Sequence, residues 1–121
     1  MKSGSILGVF VAFGISAHSN ASEQLAAVGP GTATCAEFGR SFKQTPELTE
    51  AMYYSWAQGF MSASNLALLL SKQPVHDFAK LSIKAGQSYL RGYCDKHPLL
   101  PFELGVEELL KTVPLEPIRS N

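Results

Sequence analysis

Apolar residues recur at helical spacing along most of the chain. The longest such run, Thr45 to Lys72 (TPELTEAMYYSWAQGFMSASNLALLLSK), predicts the central element. Leu48, Met52, Trp56, Gly59, Ala63, Leu66 and Leu70 follow one another at three- and four-residue steps, so they share one stripe of a helix. The rest of the circumference is mixed, with Tyr54, Met61, Leu68 and Leu69 interrupting Glu50, Gln58, Ser62 and Asn65. A helix that is partly apolar all round is expected to be central and contacted on more than one side, with Trp56 and Phe60 in the core. Thr45-Pro46 marks its start, a capping hydroxyl followed by proline at the first helical position. Pro74 ends it near Ser71 to Gln73 by disfavouring helical angles at Gln73.

Three shorter helices accompany it. Thr34-Cys35-Ala36-Glu37 has capping-box spacing, so a first helix is expected from Cys35 to about Lys43, with Phe38 and Phe42 on one face. A third, capped by His76 or Asp77, is expected to run to about Asp95. Phe78, Ser82, Ala85, Tyr89 and Tyr93 lie on one side of it, Ile83, Gly86, Leu90 and Cys94 adjoin them, and Lys80, Lys84 and Arg91 lie opposite. Gly59 and Gly86 are both mid-helix, where glycine costs about 1 kcal/mol against alanine. That cost predicts that the second and third helices cross near those points. Pro98 stops the third helix, and Phe102, Val106, Leu109, Leu110 and Val113 form the stripe of a fourth. Glu103 near its start and Lys111 near its end suit the helix dipole, and Pro114 and Pro117 close it. No strand-like alternation persists anywhere. The expected fold is all-α, a bundle of about four helices over residues 34–114, with an extended tail over 115–121.

The N-terminal segment reads differently. Lys2, the apolar run Ile6 to Ile15 and the small residues Ser19-Asn20-Ala21 have the order of a signal peptide over residues 1–21. The run is too short to cross a bilayer of roughly 30 Å as a helix; an N-terminal anchor or a buried helix is the alternative. Cleavage after Ala21 leaves Ser22 to Asn121 with no stable membrane anchor, in the periplasm or outside the cell. Ser22 to Ala33, with Gly29-Pro30-Gly31, reads as a flexible leader.

A length of 121 residues allows one domain. Ten Lys and Arg balance ten Asp and Glu, and cleavage removes Lys2 from the basic side. No basic excess points to nucleic acid. A core this small gains from a staple, and Cys35 and Cys94 are the chain's two cysteines. In an oxidising compartment they have each other as the available partner, and the expected disulfide closes a loop worth about 4 kcal/mol in the chain-entropy model. A redox pair normally uses C-x-x-C, which is absent, and a zinc site needs two more ligands, of which only His97 is conveniently spaced.

Catalytic motifs are missing: there is no H-E-x-x-H, no G-x-S-x-G and no phosphate or dinucleotide glycine loop. His76-Asp77 reads as a helix start in preference to an acid–base pair. No cofactor, metal or catalytic residue is expected, and a small enzyme is the least favoured reading. Lys80, Lys84 and Arg91 form a basic ridge, either a solvated face or a contact for an acidic partner. Tyr54, Gln58, Met61 and Asn65 step by four, three and four along the outer face of the central helix. Aromatic, methionine and amide groups together suit a protein interface; the alternative is that the fourth helix covers them.

Thr34-Cys35-Ala36-Glu37-Phe38 and Tyr93-Cys94-Asp95-Lys96-His97-Pro98 resemble the two cysteine segments of HdeA/HdeB-type periplasmic acid-stress chaperones. This resemblance implies an exported helical protein with one disulfide that holds client proteins. Ten acidic and nine basic groups would allow such a chain to become positive in acid. A looser resemblance, through Gly59-Phe60 and Tyr89-Leu90, His97-Pro98, Val106 and Leu109, is to the Rap1a/Tai-type immunity proteins. It implies an inhibitor of a secreted peptidoglycan amidase. Tyr53 to Asn65 departs from the chaperone pattern.

Overall fold

Thr34 and Glu37 form the capping box that their spacing predicts. The Thr34 N–H donates to Glu37 Oε2 at 2.7 Å, and the Glu37 N–H donates to Thr34 Oγ1 at 3.2 Å. This start fixes α1, Cys35–Gln44, in a computed structural model that describes residues 27–119. The expected signal peptide lies outside the described residues. After α1 come α2 (Pro46–Leu70), β1 (Val75–His76), α3 (Ile83–Lys96), α4 (Phe102–Thr112) and β2 (Leu115–Glu116), with short 3-10 turns at Pro30–Thr32 and Phe78–Lys80. The all-α expectation of four helices holds.

Cys35 opens α1 and Cys94 lies in the last turns of α3. They form the expected disulfide, with Cα atoms 4.7 Å apart and both residues buried. The α3–α4 loop completes the clamp. Its carbonyls at Leu100 and Pro98 accept from the Cys35 and Ala36 N–H groups, both at 2.8 Å, and the Phe102 N–H donates to the Ala33 carbonyl at 2.8 Å. N–H groups that a helix start leaves without intrahelical partners are thereby satisfied by the end of the bundle. Around this clamp Phe38, Tyr53 and Phe102 meet pairwise with ring centroids 4.9 to 5.1 Å apart. Ala57, Met61, Leu90, Val106 and Leu109 extend the core. Of the expected α4 stripe, Phe102, Val106, Leu109 and Val113 are buried, and Leu110 packs half-buried against the core.

The orientation of α2 corrects the sequence reading. Thr49, Tyr53, Ala57 and Met61, one residue per turn, face the core. The long stripe expected there points away from it: Leu48 is 68% exposed, Met52 49%, Leu66 58% and Leu70 83%. Trp56 and Phe60 are half-buried at the margin, stacked on each other at 5.4 Å. Both faces of α2 are apolar, so its own periodicity does not decide which one is covered. The partners decide: Phe38 and Phe102 supply aromatic edges to Tyr53.

Other expectations are also revised. The end of the leader is built into the fold: Gly29 takes φ 90°, Pro30–Thr32 turns, and Trp56 Nε1 donates to the Val28 carbonyl at 2.7 Å. A side chain at Gly31 would start 2.1 Å from the indole ring. Thr45 does not cap α2; its hydroxyl pairs with that of Thr49 at 3.2 Å. The third helix starts later than expected, at Ile83, where the Ser82 hydroxyl accepts from the Ala85 N–H, while Asp77 caps the preceding 3-10 turn. Gly86 marks a close crossing with α2, since a Cβ there would fall 2.3 Å from the Tyr54 hydroxyl. Gly59 does not, because a Cβ there meets open space. The extended tail pairs at its start with β1, antiparallel, Val75 with Glu116 and His76 with Leu115, a ladder that the sequence does not announce.

Candidate functional site

Tyr54, Gln58, Met61 and Asn65 do line one recess, but its geometry differs from the open outer face that their spacing suggests. Tyr54 and Met61 are buried and form the floor, Asn65 is half-buried, and Gln58 remains at the rim. The covering element is not the fourth helix. The 75–83 segment lies across this side of α2, and Phe78, Leu81 and Ile83 wall a pocket of about 130 Å³ over Tyr54, Gln58, Met61 and Ser62. A shallower hollow of about 380 Å³ continues it past Asn65 to Leu66, Leu69, Val75 and Phe78. Ser62 and Phe78 line both, so the two run together as one groove along α2, mixed in polarity at the Gln58 end and apolar at the Leu69 end.

The wall is held in place. Asn65 Nδ2 donates to the His76 carbonyl and Asn65 Oδ1 accepts from the His76 N–H, both at 2.8 Å. His76 Nδ1 lies 2.8 Å from the Val113 carbonyl, and the Asp77 N–H donates to the Pro114 carbonyl at 2.9 Å. An asparagine amide reading both backbone groups of one residue fixes that residue as a strand partner would. Sequence spacing alone put Asn65 in a contact strip; its structural task is to anchor the groove wall. Burial raises the Tyr54 hydroxyl above its ordinary pKa, so it stays neutral.

The basic ridge does not assemble. Lys80 sits in the 3-10 turn and donates to Glu116 Oε1 at 2.7 Å, with Asp77 Oδ2 at 3.7 Å; the Glu116 hydrogen bond, then its charge, raises the lysine pKa. Arg91 pairs with Glu50 and lies over the Phe42 ring at 5.7 Å, tying α3 to α2 and α1. Lys84 is exposed. Two of the three cations therefore serve internal pairing.

Two further recesses escaped the sequence reading. Arg40, Lys43, Arg91 and Asp95 rim a hollow of about 460 Å³ over the disulfide. Tyr89, Tyr93, Lys96, His97 and Glu108 border an open trough between α3 and α4, where the Tyr93 and His97 rings are 4.5 Å apart. Neither is visible in spacing, because each joins residues from separate helices or from both ends of one. Among the described residues, no three His, Cys, Asp or Glu side chains gather as metal ligands, and no helix is long and apolar enough to cross a membrane. Comparison with known protein families, with curated proteins and with solved structures finds no match.

Proposed function

We propose that this chain is a small exported protein-binding module that acts without catalysis, presenting the α2 groove to a protein partner in the periplasm or outside the cell. The observation that carries the reading is the groove itself. A tyrosine and a methionine form its floor, leucine and isoleucine line its wall, and Gln58 supplies hydrogen bonds at its edge. That mixture gives a peptide segment apolar contact and orientation together. The disulfide supports the compartment, since such bonds persist where the surroundings are oxidising. The likeness of the two cysteine segments to HdeA/HdeB-type chaperones supports an unfolded client as the partner.

The test is suppression of aggregation of an acid-denatured model client at about pH 2 to 3 and at neutral pH. Ile83→Asp is the groove variant, because Ile83 is exposed at the wall and an acid in the first turn suits a helix start. The native chain should suppress aggregation in acid and the variant should lose most of that effect. Performance no better than an inert protein of equal size would end the chaperone reading. A second reading rests on the anchored wall. A groove shaped before binding favours one dedicated partner, as the Rap1a/Tai-type resemblance implies. It predicts a 1:1 complex with a secreted peptidoglycan amidase that Ile83→Asp weakens.

A further inference from the structure

The outward face of α2 is a second feature, which meets the groove only at Leu66. From Ala51 to Ser71 the chain carries no Asp, Glu, Lys, Arg or His. Within that stretch the face opposite the core is apolar or small, and its long side chains Met52, Leu66 and Leu70 stand in solvent, as does Leu48 one turn before it. Its arrangement is symmetric about Gly59. Leu48 and Leu70 lie eleven residues to either side, Met52 and Leu66 seven, Ser55 and Ala63 four. Large residues therefore occupy both ends and small ones the middle, in steps of four, three, four, then four, three, four. Such spacing is that of a helix seam.

We infer that a second copy of this chain covers this face, its α2 antiparallel to the first and crossing it at Gly59. A two-fold axis requires a surface that complements itself. The palindrome provides it: Leu48 of one copy meets Leu70 of the other, Met52 meets Leu66, and Gly59 meets Gly59. The glycine, which nothing in its own chain requires because a Cβ there meets open space, lets the two backbones approach. Charge agrees with the antiparallel sense. Glu47 precedes the seam and Lys72 follows it, both exposed, so each end brings the acid of one copy beside the base of the other. A parallel pair would place like charges together. The seam is ~33 Å long at the helical rise. One helix pair gives an interface at the low end of the size range, under about 1,200 Å² in total, so association in the micromolar range is expected.

Leu66 is the one residue that this surface shares with the groove. Sedimentation velocity of the oxidised full chain from low micromolar to several hundred micromolar should show monomer passing to dimer. Gly59→Glu and Gly59→Lys, each projecting into open space in the single chain, should keep their far-UV circular dichroism and thermal stability yet remain monomeric. Gly59→Cys, small enough for the crossing, should form a disulfide between copies at that position under mild oxidation, because only a residue that faces itself across the axis is within bonding reach of its own copy. Ile83→Asp should dimerise like the native chain, so loss of groove function and loss of pairing are read separately. A native chain that stays monomeric throughout would overturn the inference. So would a dimer indifferent to Gly59→Glu, or a Gly59→Cys chain that forms no disulfide between copies. Binding of the native monomer to lipid vesicles in place of self-association would overturn it in favour of a membrane surface.

Discussion

Gly86→Ala tests the crossing of α2 and α3 most directly. At an ordinary mid-helix site, alanine is worth about 0.8–1 kcal/mol over glycine. Here the new methyl would lie 2.3 Å from the Tyr54 hydroxyl oxygen, 2.7 Å from Cε2 and 2.8 Å from Cζ. The ring cannot swing clear, since Tyr54 is only 5% exposed. Overpacking of this kind costs about 1–3 kcal/mol, which exceeds the propensity gain and leaves a net loss of about 1 kcal/mol. Gly92 is the control in the same helix, where a Cβ meets nothing within 4 Å. Gly92→Ala should therefore gain up to about 1 kcal/mol. The two variants should differ in melting temperature by roughly 10 °C in a domain of this size, a gap that calorimetry or circular dichroism resolves easily. Adding Tyr54→Phe to Gly86→Ala removes the nearest atom but not the ring carbons, so it should recover part of the loss, and a double-mutant cycle should show the coupling. If Gly86→Ala stabilises as much as Gly92→Ala does, the close packing of these helices is refuted.

Three further outcomes are expected. Replacing both Cys35 and Cys94 by alanine should lower stability by about 4 kcal/mol in the chain-entropy model, read from urea unfolding of the oxidised and variant proteins; a loss under about 1 kcal/mol would show that the clamp is redundant. Glu37 is held below its ordinary value of 4.5, first by the Thr34 backbone N–H and then by its hydroxyl. Its stabilising contribution is thus present above that value and disappears as pH falls through the depressed one. Glu37→Gln should be less stable near neutrality and show a shallower acid decline in its denaturation midpoint. Asn65→Ala removes both hydrogen bonds to the His76 backbone, at a cost of about 1–3 kcal/mol for the groups left unpaired. Hydrogen exchange at the His76 amide should quicken selectively; an unchanged rate would mean that the wall is held elsewhere.

Features written in local chemistry were legible from the sequence. The Thr34–Glu37 box, the α4 stripe and the cysteine pair each depend on a few residues whose spacing admits one arrangement. What was not legible depended on which partner arrives. The α2 helix has two apolar faces, and the stripe with the cleaner period is the outward one. The buried one, with Thr49 and Tyr53, is recognisable only once Phe38 and Phe102 are placed against it. The late start of α3 reflects two capping residues in succession, Asp77 for the 3-10 turn and Ser82 for the helix; either suits a cap, and geometry selects the second. The β1–β2 ladder is two residues long on each side, too short to show alternation. Helical spacing placed Tyr54, Gln58, Met61 and Asn65 on one strip of α2, and the two adjoining hollows lie along that strip. The wall facing them was missed because Phe78, Leu81 and Ile83 belong to a segment read as continuous helix.

The disulfide also determines how the molecule would respond to traction. The bridge spans 59 positions, and all of α2 lies inside the ring that it closes. Tension applied at the two ends of the chain would pass from Cys35 directly to Cys94, leaving the enclosed stretch unloaded. On the order of 200 Å of contour length would stay hidden at ~3.4 Å per residue and appear only when the sulfurs part. A machine that pulls on either terminus could strip α4 from its neighbours while α2 kept its place within the loop.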